Sequence, residues 1–340
     1  MTLGELEQFL KGMNEQKFRA AQLFAWISRG ARSFGEMRDL GLSLRKKLDE
    51  SSALRSSVVA KIETDRDGAV KLGLLLGGGA AVEAVLLPAN GRYTACLSTQ
   101  AGCPVGCVFC KTGSLGFLRN LSAAEIVEQF LELDALCAGN VSNIVVMGMG
   151  EPLLNLEALR KALEIITSPE GRGLSKRRIT ISTSGIIAGI AELAEKGPDA
   201  ELALSITTAR EDLRGRLIKG AGPVSLRDLK NALVRWQQKH RRRITLETVL
   251  LGGINTGGED AEALVRFARG LRTVVNIIPW NPVEGLSFEG NALVPPAQSE
   301  TAFFRRQLES AGLNVTCRFR RGRGISGACG QLGALPDTGK

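Results

Sequence analysis

Residues 94–110 read TACLSTQAGCPVGCVFC, and they indicate both a fold and a chemistry. The first five residues, TACLS, are mostly apolar, which predicts a buried β-strand. Three cysteines follow with the spacing C-x3-C-x2-C, at Cys103, Cys107 and Cys110. Because proline and glycine separate the thiols, the segment is a loop after a strand and a poor candidate for cysteines that only pack in a core.

Beyond residue 91, short apolar runs alternate with longer amphipathic runs, which is the pattern of parallel βα units. Strands are predicted at residues 94–98, 143–147, 178–182, 202–206, 244–250, 274–278 and 315–319. Helices are predicted between them at residues 123–137, 156–167, 186–195, 226–239, 261–269 and 297–311. Six or seven repeats fall short of a closed eight-stranded barrel. We therefore predict an α/β fold, a partial (β/α)6-type barrel, with an open doubly wound sheet as the alternative.

The residues before the barrel predict two smaller units. Apolar residues recur at helical spacing around Leu23 and Trp26 and again around Leu44, so residues 1–57 are expected to form a basic helical module. Residues 58–90 carry short β-type runs interrupted by Asp67-Gly68, which predicts a β-hairpin and then a linker near residues 88–91. The expected division is 1–57, 58–90, 91–334 for the barrel and 335–340 for a tail.

Composition narrows the class of protein. The 340 residues include 44 Lys and Arg against 35 Asp and Glu, a formal net charge of +9, and 44% are hydrophobic, enough for a sizeable core. Apolar runs stay below the roughly 18–20 residues that span a bilayer, and the first residues do not read as a signal peptide. We therefore expect a cytoplasmic protein with no membrane partner. Seven cysteines are too few for a disulfide scaffold, and a single histidine, His240, argues against histidine-based zinc catalysis.

The three crowded thiols suit a [4Fe-4S] cluster, because each iron of a cubane needs one outer ligand. Three protein ligands leave one iron open, and S-adenosylmethionine chelates such an iron through its amino and carboxylate groups. Structural zinc is the alternative. It normally takes two Cys or His pairs, whereas this chain has one C-x2-C pair and no second one. The spacing therefore favours Cys103, Cys107 and Cys110 as cluster ligands.

Further motifs follow the cysteine loop. They are MGMGEPLLN at residues 147–155, LSKRR at 174–178, STSG at 182–185, IPWNP at 278–282 and ACGQL at 328–332. With these motifs the sequence resembles the RlmN/Cfr family of radical-SAM RNA adenine methyltransferases, from about Phe18 to about Leu332. The resemblance implies a partial radical-SAM barrel, a [4Fe-4S] cluster and S-adenosylmethionine as cofactors, and methylation of carbon 2 of an adenine in rRNA or tRNA. The alternatives are a radical-SAM enzyme that modifies another RNA position, such as adenine carbon 8, and a non-catalytic zinc-stabilised RNA-binding protein.

The resemblance also implies roles for residues outside the cluster loop. Cys329 would accept a methyl group and carry it to the base, which leaves the RNA tied to this residue. Cys96 would then attack Cys329 and release the product as a transient disulfide forms. Glu83 matches the family's proton acceptor, although its own local sequence indicates a solvated strand residue. Cys137 and Cys317 are predicted to pack in the core.

Residues at predicted strand ends match the family's contacts to S-adenosylmethionine: Gly150, Glu151, Ser182, Ser205 and Asn281. Glycine at 150 lets backbone approach the cofactor closely, and Glu151 offers a carboxylate to the amino group or the ribose. The resemblance further implies an RNA partner, a low-potential electron donor such as flavodoxin or ferredoxin, and a monomer.

Basic runs lie at residues 176–178, 241–243, 305–306 and 318–323, and any one such run is more often a solvated face than a binding site. Arg320, Arg321 and Arg323 stand just before Cys329 and are candidates to guide RNA phosphates to the thiol.

Three positions depart from the family pattern. Thr207 stands where a histidine is usual, Arg323-Gly324 where two acidic residues are common, and Lys111 where serine or alanine is usual. These differences predict altered substrate-facing loops, as in a paralogue with another RNA target.

Overall fold

The structure, a computed structural model, describes residues 1–221, 225–317 and 321–333. The last two residues of the strand predicted at 315–319, Arg320 and the tail predicted at 335–340 lie outside the described residues. Across the described part of the chain, no helix is both long enough and apolar enough to cross a membrane.

Three helices form the N-terminal part: α1 (Leu3–Gly12), α2 (Phe18–Ser28) and α3 (Leu42–Ser51). α1 begins with a capping box, in which Thr2 Oγ1 accepts from the Glu5 amide at 3.3 Å and Glu5 Oε2 accepts from the Thr2 amide at 2.8 Å. Each helix buries one apolar face, including Leu23 of α2 and Leu44 of α3. These faces join the main hydrophobic core, so the helices attach directly to the barrel.

Four antiparallel strands follow: β1 (Ser57–Thr64), β2 (Val70–Leu76), β3 (Ala81–Ala89) and β4 (Arg92–Cys96). Gly68 in the β1–β2 turn has φ +81°, a left-handed conformation that favours glycine and explains the predicted hairpin. β3 pairs with β4 through Pro88 and Tyr93. The residues predicted as a linker therefore form a tight turn inside one continuous sheet.

The remaining strands are β5 (Gln100–Gly102), β6 (Phe117–Asn120), β7 (Val141–Val146), β8 (Ile179–Thr183), β9 (Glu201–Ser205), β10 (Ile244–Leu250), β11 (Thr273–Pro279), β12 (Ser287–Phe288), β13 (Asn291–Ala292) and β14 (Val315–Cys317). The remaining helices are α4 (Lys111–Ser114), α5 (Ala123–Leu136), α6 (Leu156–Thr167), α7 (Ile187–Lys196), α8 (Glu211–Leu217), α9 (Leu226–His240), α10 (Gly258–Ala268) and α11 (Gln298–Ser310).

The main sheet has ten strands in the order β1-β2-β3-β4-β7-β8-β9-β10-β11-β14, and every pair from β4 onward is parallel. From β4 the strand order follows the chain order, whereas the order of a doubly wound sheet reverses at a switch point. The partial barrel is therefore confirmed and the doubly wound alternative is wrong. Among the described residues no pairing joins β14 back to β4, so the barrel is open on one side.

The core lies between the strands and one face of each surrounding helix. α6 shows why: Leu159, Leu163 and Ile166 recur at helical spacing and are at most 2% exposed. They share one hydrophobic cluster with strand residues such as Ile144 and Ile181. The predicted strand 244–250 and helix 156–167 match β10 and α6 residue for residue, because apolar periodicity is strongest there.

The two cysteines predicted as core thiols differ. Cys137 is buried just after α5, which confirms the prediction. Cys317 is exposed, so that prediction is wrong. The reason is its place in the sheet: β14 is the last strand, at the open edge of the barrel, and no described strand covers its outer side.

Candidate active site

The cysteine loop is anchored by residues that lie between the thiols. Trp280 Nε1, just after β11, donates to the Phe109 carbonyl at 2.8 Å, and the Val108 amide donates to the Leu217 carbonyl at 3.0 Å. Val105 and Phe109 are buried in a second, smaller hydrophobic cluster, which also contains Leu213, Leu217, Ile218, Leu251, Trp280 and Leu293. Apolar spacer residues thus fix the loop against the ends of the barrel strands.

All three thiols of the loop line one cavity of about 170 Å³. The other predicted site residues on this cavity are Gly150, Glu151, Ser182, Ser205, Asn281 and Cys329. They come from four strand ends and from the C-terminal segment, which explains why widely separated motifs form one site. We call this space the cofactor cavity.

The donor set of the loop fits a multi-iron cluster. Its three thiols line one cavity, and a cubane would take one thiolate on each of three irons. Burial raises the pKa of Cys103 to about 11, and burial also raises the pKa of Cys107 and Cys110. A buried thiol of this kind loses its proton when a metal cation takes the proton's place.

Glu151 is buried at the edge of the cofactor cavity. Its carboxylate accepts from the Ser184 amide at 2.7 Å and from the Leu153 amide at 3.1 Å, while its own amide donates to Gln100 Oε1 at 2.8 Å. Burial raises the pKa of this carboxyl, and the hydrogen bonds from backbone oppose that rise. The contacts fix the position of the carboxylate of this cavity-lining residue.

Glycine is needed at position 150 because the backbone there packs directly against Gln100. The φ of Gly150 is +99°, and a Cβ built there would lie 2.5 Å from Gln100 Cβ. A Cβ at Gly148 would lie 2.5 Å from Ser98 Oγ. The loop after β7 therefore rests directly on residues 97–100, between β4 and the cysteine loop.

Several polar atoms around the cofactor cavity fit a polar ligand. Ser182 Oγ lies 3.1 Å from Ser205 Oγ, at the ends of β8 and β9. Thr207 Oγ1 and Asn281 Oδ1 are buried and make no hydrogen bond to any residue that the structure describes. Thr207 also adopts φ +58°, which is strained for a β-branched residue. Buried polar atoms of this kind are usually satisfied by a partner, so the lining suits S-adenosylmethionine.

Arg214 is a buried charge near Cys107 that the sequence analysis missed. It is 4% exposed, and it donates to the carbonyls of Ile206 and Ser184, at the ends of two barrel strands. Burial lowers its pKa to about 10. The sequence signal that could have found it is helical spacing, which places Arg214 on the same side of α8 as the buried Leu213 and Leu217.

A second cavity of about 660 Å³ lies inside the barrel, lined by residues from β4, β7, β8, β10, β11 and β14. Cys96 and Cys329 both line it, and Arg177, Arg178 and Arg321 contribute positive charge to its lining. We call it the lumen cavity. Cys329 also lines the cofactor cavity, and its carbonyl accepts from Asn281 Nδ2 at 3.1 Å. The structure thus brings the two predicted reactive cysteines to one space and places Cys329 at the boundary of both.

Glu83 is 1% exposed, so the solvated strand residue indicated by its local sequence is wrong. Its Oε1 lies 3.1 Å from Lys71 Nζ, and its Oε2 accepts from the Gly333 amide at 2.5 Å. The local pattern failed because β3 is covered on both faces, by neighbours that are distant in sequence. Glu83 therefore contacts the same C-terminal segment that carries Cys329.

Comparison with known proteins agrees with this architecture. A family model described as the radical SAM superfamily matches residues 97–268, and one described as the ribosomal RNA large subunit methyltransferase N-terminal domain matches residues 1–54. A solved structure of a radical SAM methyltransferase from Sphaerobacter thermophilus is 36% identical, has a TM-score of 0.93 and aligns over 98% of each chain. The fold is that of a radical SAM enzyme, and the chain belongs to the radical SAM superfamily.

Relatives identify the family within that class. The "Probable dual-specificity RNA methyltransferase RlmN" of Treponema denticola is 50% identical over 97% of this chain and 93% of its own length. The "Dual-specificity RNA methyltransferase RlmN" of Syntrophobacter fumaroxidans is 40% identical over 97% of this chain and 96% of its own length. The chain belongs to the RlmN family. The [4Fe-4S] cluster and S-adenosylmethionine predicted from the sequence are the cofactors of its superfamily.

Proposed function

We propose that this protein methylates carbon 2 of an adenine in rRNA or tRNA through an S-methylcysteine at Cys329. Carbon 2 lies between two ring nitrogens and is electron-poor, so it does not displace a methyl group from a sulfonium. The observation that carries the proposal is the position of Cys329, which lines both the cofactor cavity and the lumen cavity. One thiol at this boundary can meet a methyl donor on one side and a base on the other.

The cofactors would be held by residues already in place. Cys103, Cys107 and Cys110 would bind the cluster, and the lining residues Gly150, Glu151, Ser182, Ser205 and Asn281 would contact S-adenosylmethionine. When bound, these cofactors supply a methyl group and the single-electron chemistry that removes a hydrogen atom. The protein supplies the buried cavity and the fixed polar groups that orient them.

Cys329 acts first as a nucleophile and accepts a methyl group on its sulfur as the thiolate. A hydrogen atom is then removed from this S-methyl group, and the methylene carbon bonds to carbon 2 of the base. The RNA is at that stage tied to Cys329 through a sulfur–carbon bond. The lumen cavity offers about 660 Å³ for the base, which has to leave its stack to reach the thiol.

Release of the methylated RNA uses the two other predicted catalytic residues, Glu83 and Cys96. After the carbon–carbon bond forms, an unpaired electron is left on the base and would return to the one-electron cofactor held by the three thiols of the cysteine loop. Glu83, beside the C-terminal segment, takes the proton that leaves carbon 2, which restores the aromatic ring. Cys96 then attacks the sulfur of Cys329, the sulfur–carbon bond breaks, and the released carbon takes a proton to become the methyl group. The two cysteines are left as a disulfide, which an external reductant must open before the next turnover. Both thiols line the lumen cavity, which supports this pairing.

The RNA partner is supported by charge and by family. Arg177 and Arg178 are exposed and line the lumen cavity, where they would hold phosphates near its opening. Residues 1–57 would act as a helical module that contacts RNA while it packs on the barrel, ahead of the hairpin at 58–90 and the barrel at 91–334. We expect a monomer that receives electrons from a low-potential donor such as flavodoxin or ferredoxin. A cytoplasmic location suits an enzyme whose thiols must return to the reduced form.

Nucleoside analysis tests the proposed function. The protein is reconstituted anaerobically with iron and sulfide, then incubated with S-adenosylmethionine, a reductant and unmodified rRNA or tRNA transcripts. We expect 2-methyladenosine in the digested RNA and none with Cys329→Ser. Methylation at carbon 8 instead, or equal methylation by Cys329→Ser, would contradict the proposal.

A further inference from the structure

We infer that the β1–β2 turn positions Cys329 by holding the segment that precedes it, and that Asp65 and Asp67 are the positioning residues. We call residues 65–68 the hairpin tip and residues 321–333 the thiol segment. The inference rests on the proposed function, because it assigns a role in presenting Cys329. Its contacts, however, are independent of the cofactors.

The hairpin tip binds the front of the thiol segment, residues 321–328, through two carboxylates. Asp67 Oδ2 accepts from the Gly322 amide at 2.9 Å, and Asp65 Oδ2 accepts from the Gly324 amide at 2.9 Å. Hydrogen bonds from backbone amides to carboxylates are charge-assisted and stronger than neutral ones. Two such bonds at alternate residues fix the direction of the chain as it approaches Cys329.

Each aspartate uses its other oxygen to shape its own turn. Asp67 Oδ1 accepts from the Ala69 amide at 2.9 Å, and Asp65 Oδ1 accepts from the Arg66 amide at 2.6 Å. The carboxylates are therefore already oriented by the hairpin before they meet the thiol segment. A preoriented acceptor loses less conformational freedom on binding than a mobile surface side chain.

The thiol segment is fitted to these carboxylates. A Cβ at Gly324 would lie 2.8 Å from Asp65 Oδ1, so any larger residue would force the carboxylate away from the amide. Gly322 has φ +69°, and the Gly327 amide donates back to its carbonyl at 2.8 Å, which closes a tight loop just before Cys329. The glycines ahead of Cys329 thus have a packing role in addition to flexibility.

The rear of the thiol segment is attached to the barrel instead. Thr112 Oγ1 donates to the Leu332 carbonyl at 2.7 Å, and the Lys111 amide donates to the Gly330 carbonyl at 2.8 Å. Cys329 therefore lies between a rear attached to the cysteine loop and a front attached to the hairpin tip. Arg321 also donates to the Pro88 carbonyl, so loss of the two aspartate contacts would loosen residues 322–328 while Arg321 and the rear stay attached.

This arrangement controls how Cys329 is presented. The thiol has to meet the methyl donor in the cofactor cavity and later the Cys96 thiol in the lumen cavity. Both steps depend on holding reacting atoms in register, and small displacements slow such reactions strongly. A loosened front should therefore lower the turnover rate without weakening the binding of RNA.

The test compares the loaded parent enzyme with Asp65→Ala/Asp67→Ala and with the control Asp228→Ala, which removes an exposed aspartate of α9. The first readout is the initial rate of trypsin cleavage after the exposed Arg323 under native conditions. Because cleavage follows local opening, we expect it to rise about tenfold in the double variant and to stay unchanged in the control. The milder Asp67→Asn replaces the double variant if the latter does not fold.

The second readout separates positioning from structure. We expect kcat for RNA methylation to fall about tenfold in the double variant, with KM for RNA unchanged. Unchanged cleavage, or faster cleavage with unchanged kcat, overturns the inference that the β1–β2 turn positions Cys329. A raised KM with unchanged kcat would assign the tip to RNA binding and also overturn it. If the parent makes no methylated RNA, the proposed function fails, while the cleavage rates still report on the contact.

Discussion

Lys71 Nζ lies 3.1 Å from Glu83 Oε1, and the two side chains are 4% and 1% exposed. Lys71 comes from β2 and Glu83 from the adjacent β3. Lys71 also lies 3.2 Å from Glu63 of β1, whose side chain is 27% exposed. The antiparallel strands ahead of the barrel thus supply a buried positive charge for Glu83, the proposed proton acceptor.

Lys71→Met is expected to destabilise the protein, because it leaves Glu83 as a buried charge without its cation. The free energy of unfolding should fall by roughly 3–5 kcal/mol. Urea denaturation of parent and variant measures this change. Lys71→Met/Glu83→Gln is the matched control and should recover most of the loss, since no buried charge is left uncompensated. A double variant no more stable than the single one would show that the pair does not carry the effect.

Cys96→Ala and Cys317→Ser form a matched pair, because both thiols line the lumen cavity. We expect Cys96→Ala to abolish product release and to accumulate RNA attached to Cys329, visible as a protein–RNA band in a denaturing gel. Cys317→Ser should release methylated RNA at the parent rate. Adduct in the Cys317 variant, or normal turnover in Cys96→Ala, would show that the resolving thiol is misassigned.

Arg214→Met should loosen the ends of β8 and β9, since two buried carbonyls lose their donor. We expect the free energy of unfolding to fall by about 1–3 kcal/mol and the iron bound after anaerobic reconstitution to decrease. Arg216→Met is the control, because Arg216 lies on the same helix, is 47% exposed and pairs with surface carboxylates. Equal iron content in both variants would contradict a role for Arg214 at the site.

Gly150→Ala introduces a methyl group where φ is +99° and where Gln100 leaves no space. Strain and overlap together should cost at least about 2 kcal/mol of stability, measured by thermal or chemical denaturation. Gly215→Ala is the opposite case, because Gly215 lies in α8 with no atom within 4 Å of the added Cβ. It should stabilise by up to about 1 kcal/mol. Equal effects of the two changes would refute the packing account.

The barrel and the cysteine loop could be predicted from sequence because their signals are local. Apolar periodicity located β10 and α6, and the spacing of Cys103, Cys107 and Cys110 identified the cluster loop. The linker expected at 88–91 is instead a tight turn between β3 and β4. Its glycine and proline mark a turn equally well, and the pairing of β3 with β4 is a tertiary contact.

The partners of the site residues could not be predicted, because they come from distant parts of the chain. The burial of Glu83 depends on Lys71 and Gly333, and the hairpin tip meets the thiol segment more than 250 residues away. The exposure of Cys317 follows from its place on the last strand, which depends on how many strands complete the barrel. Such contacts follow from topology and leave no periodic signal in the sequence.

Peptide mass mapping tests whether Cys329 carries the methyl group. The anaerobically reconstituted protein is incubated with S-adenosylmethionine and a reductant but without RNA, digested and analysed for all seven cysteines. We predict one added methyl group on the peptide that contains Cys329, which disappears when RNA is then supplied. RNA methylation by a protein whose Cys329 peptide never gains a methyl group would contradict the account.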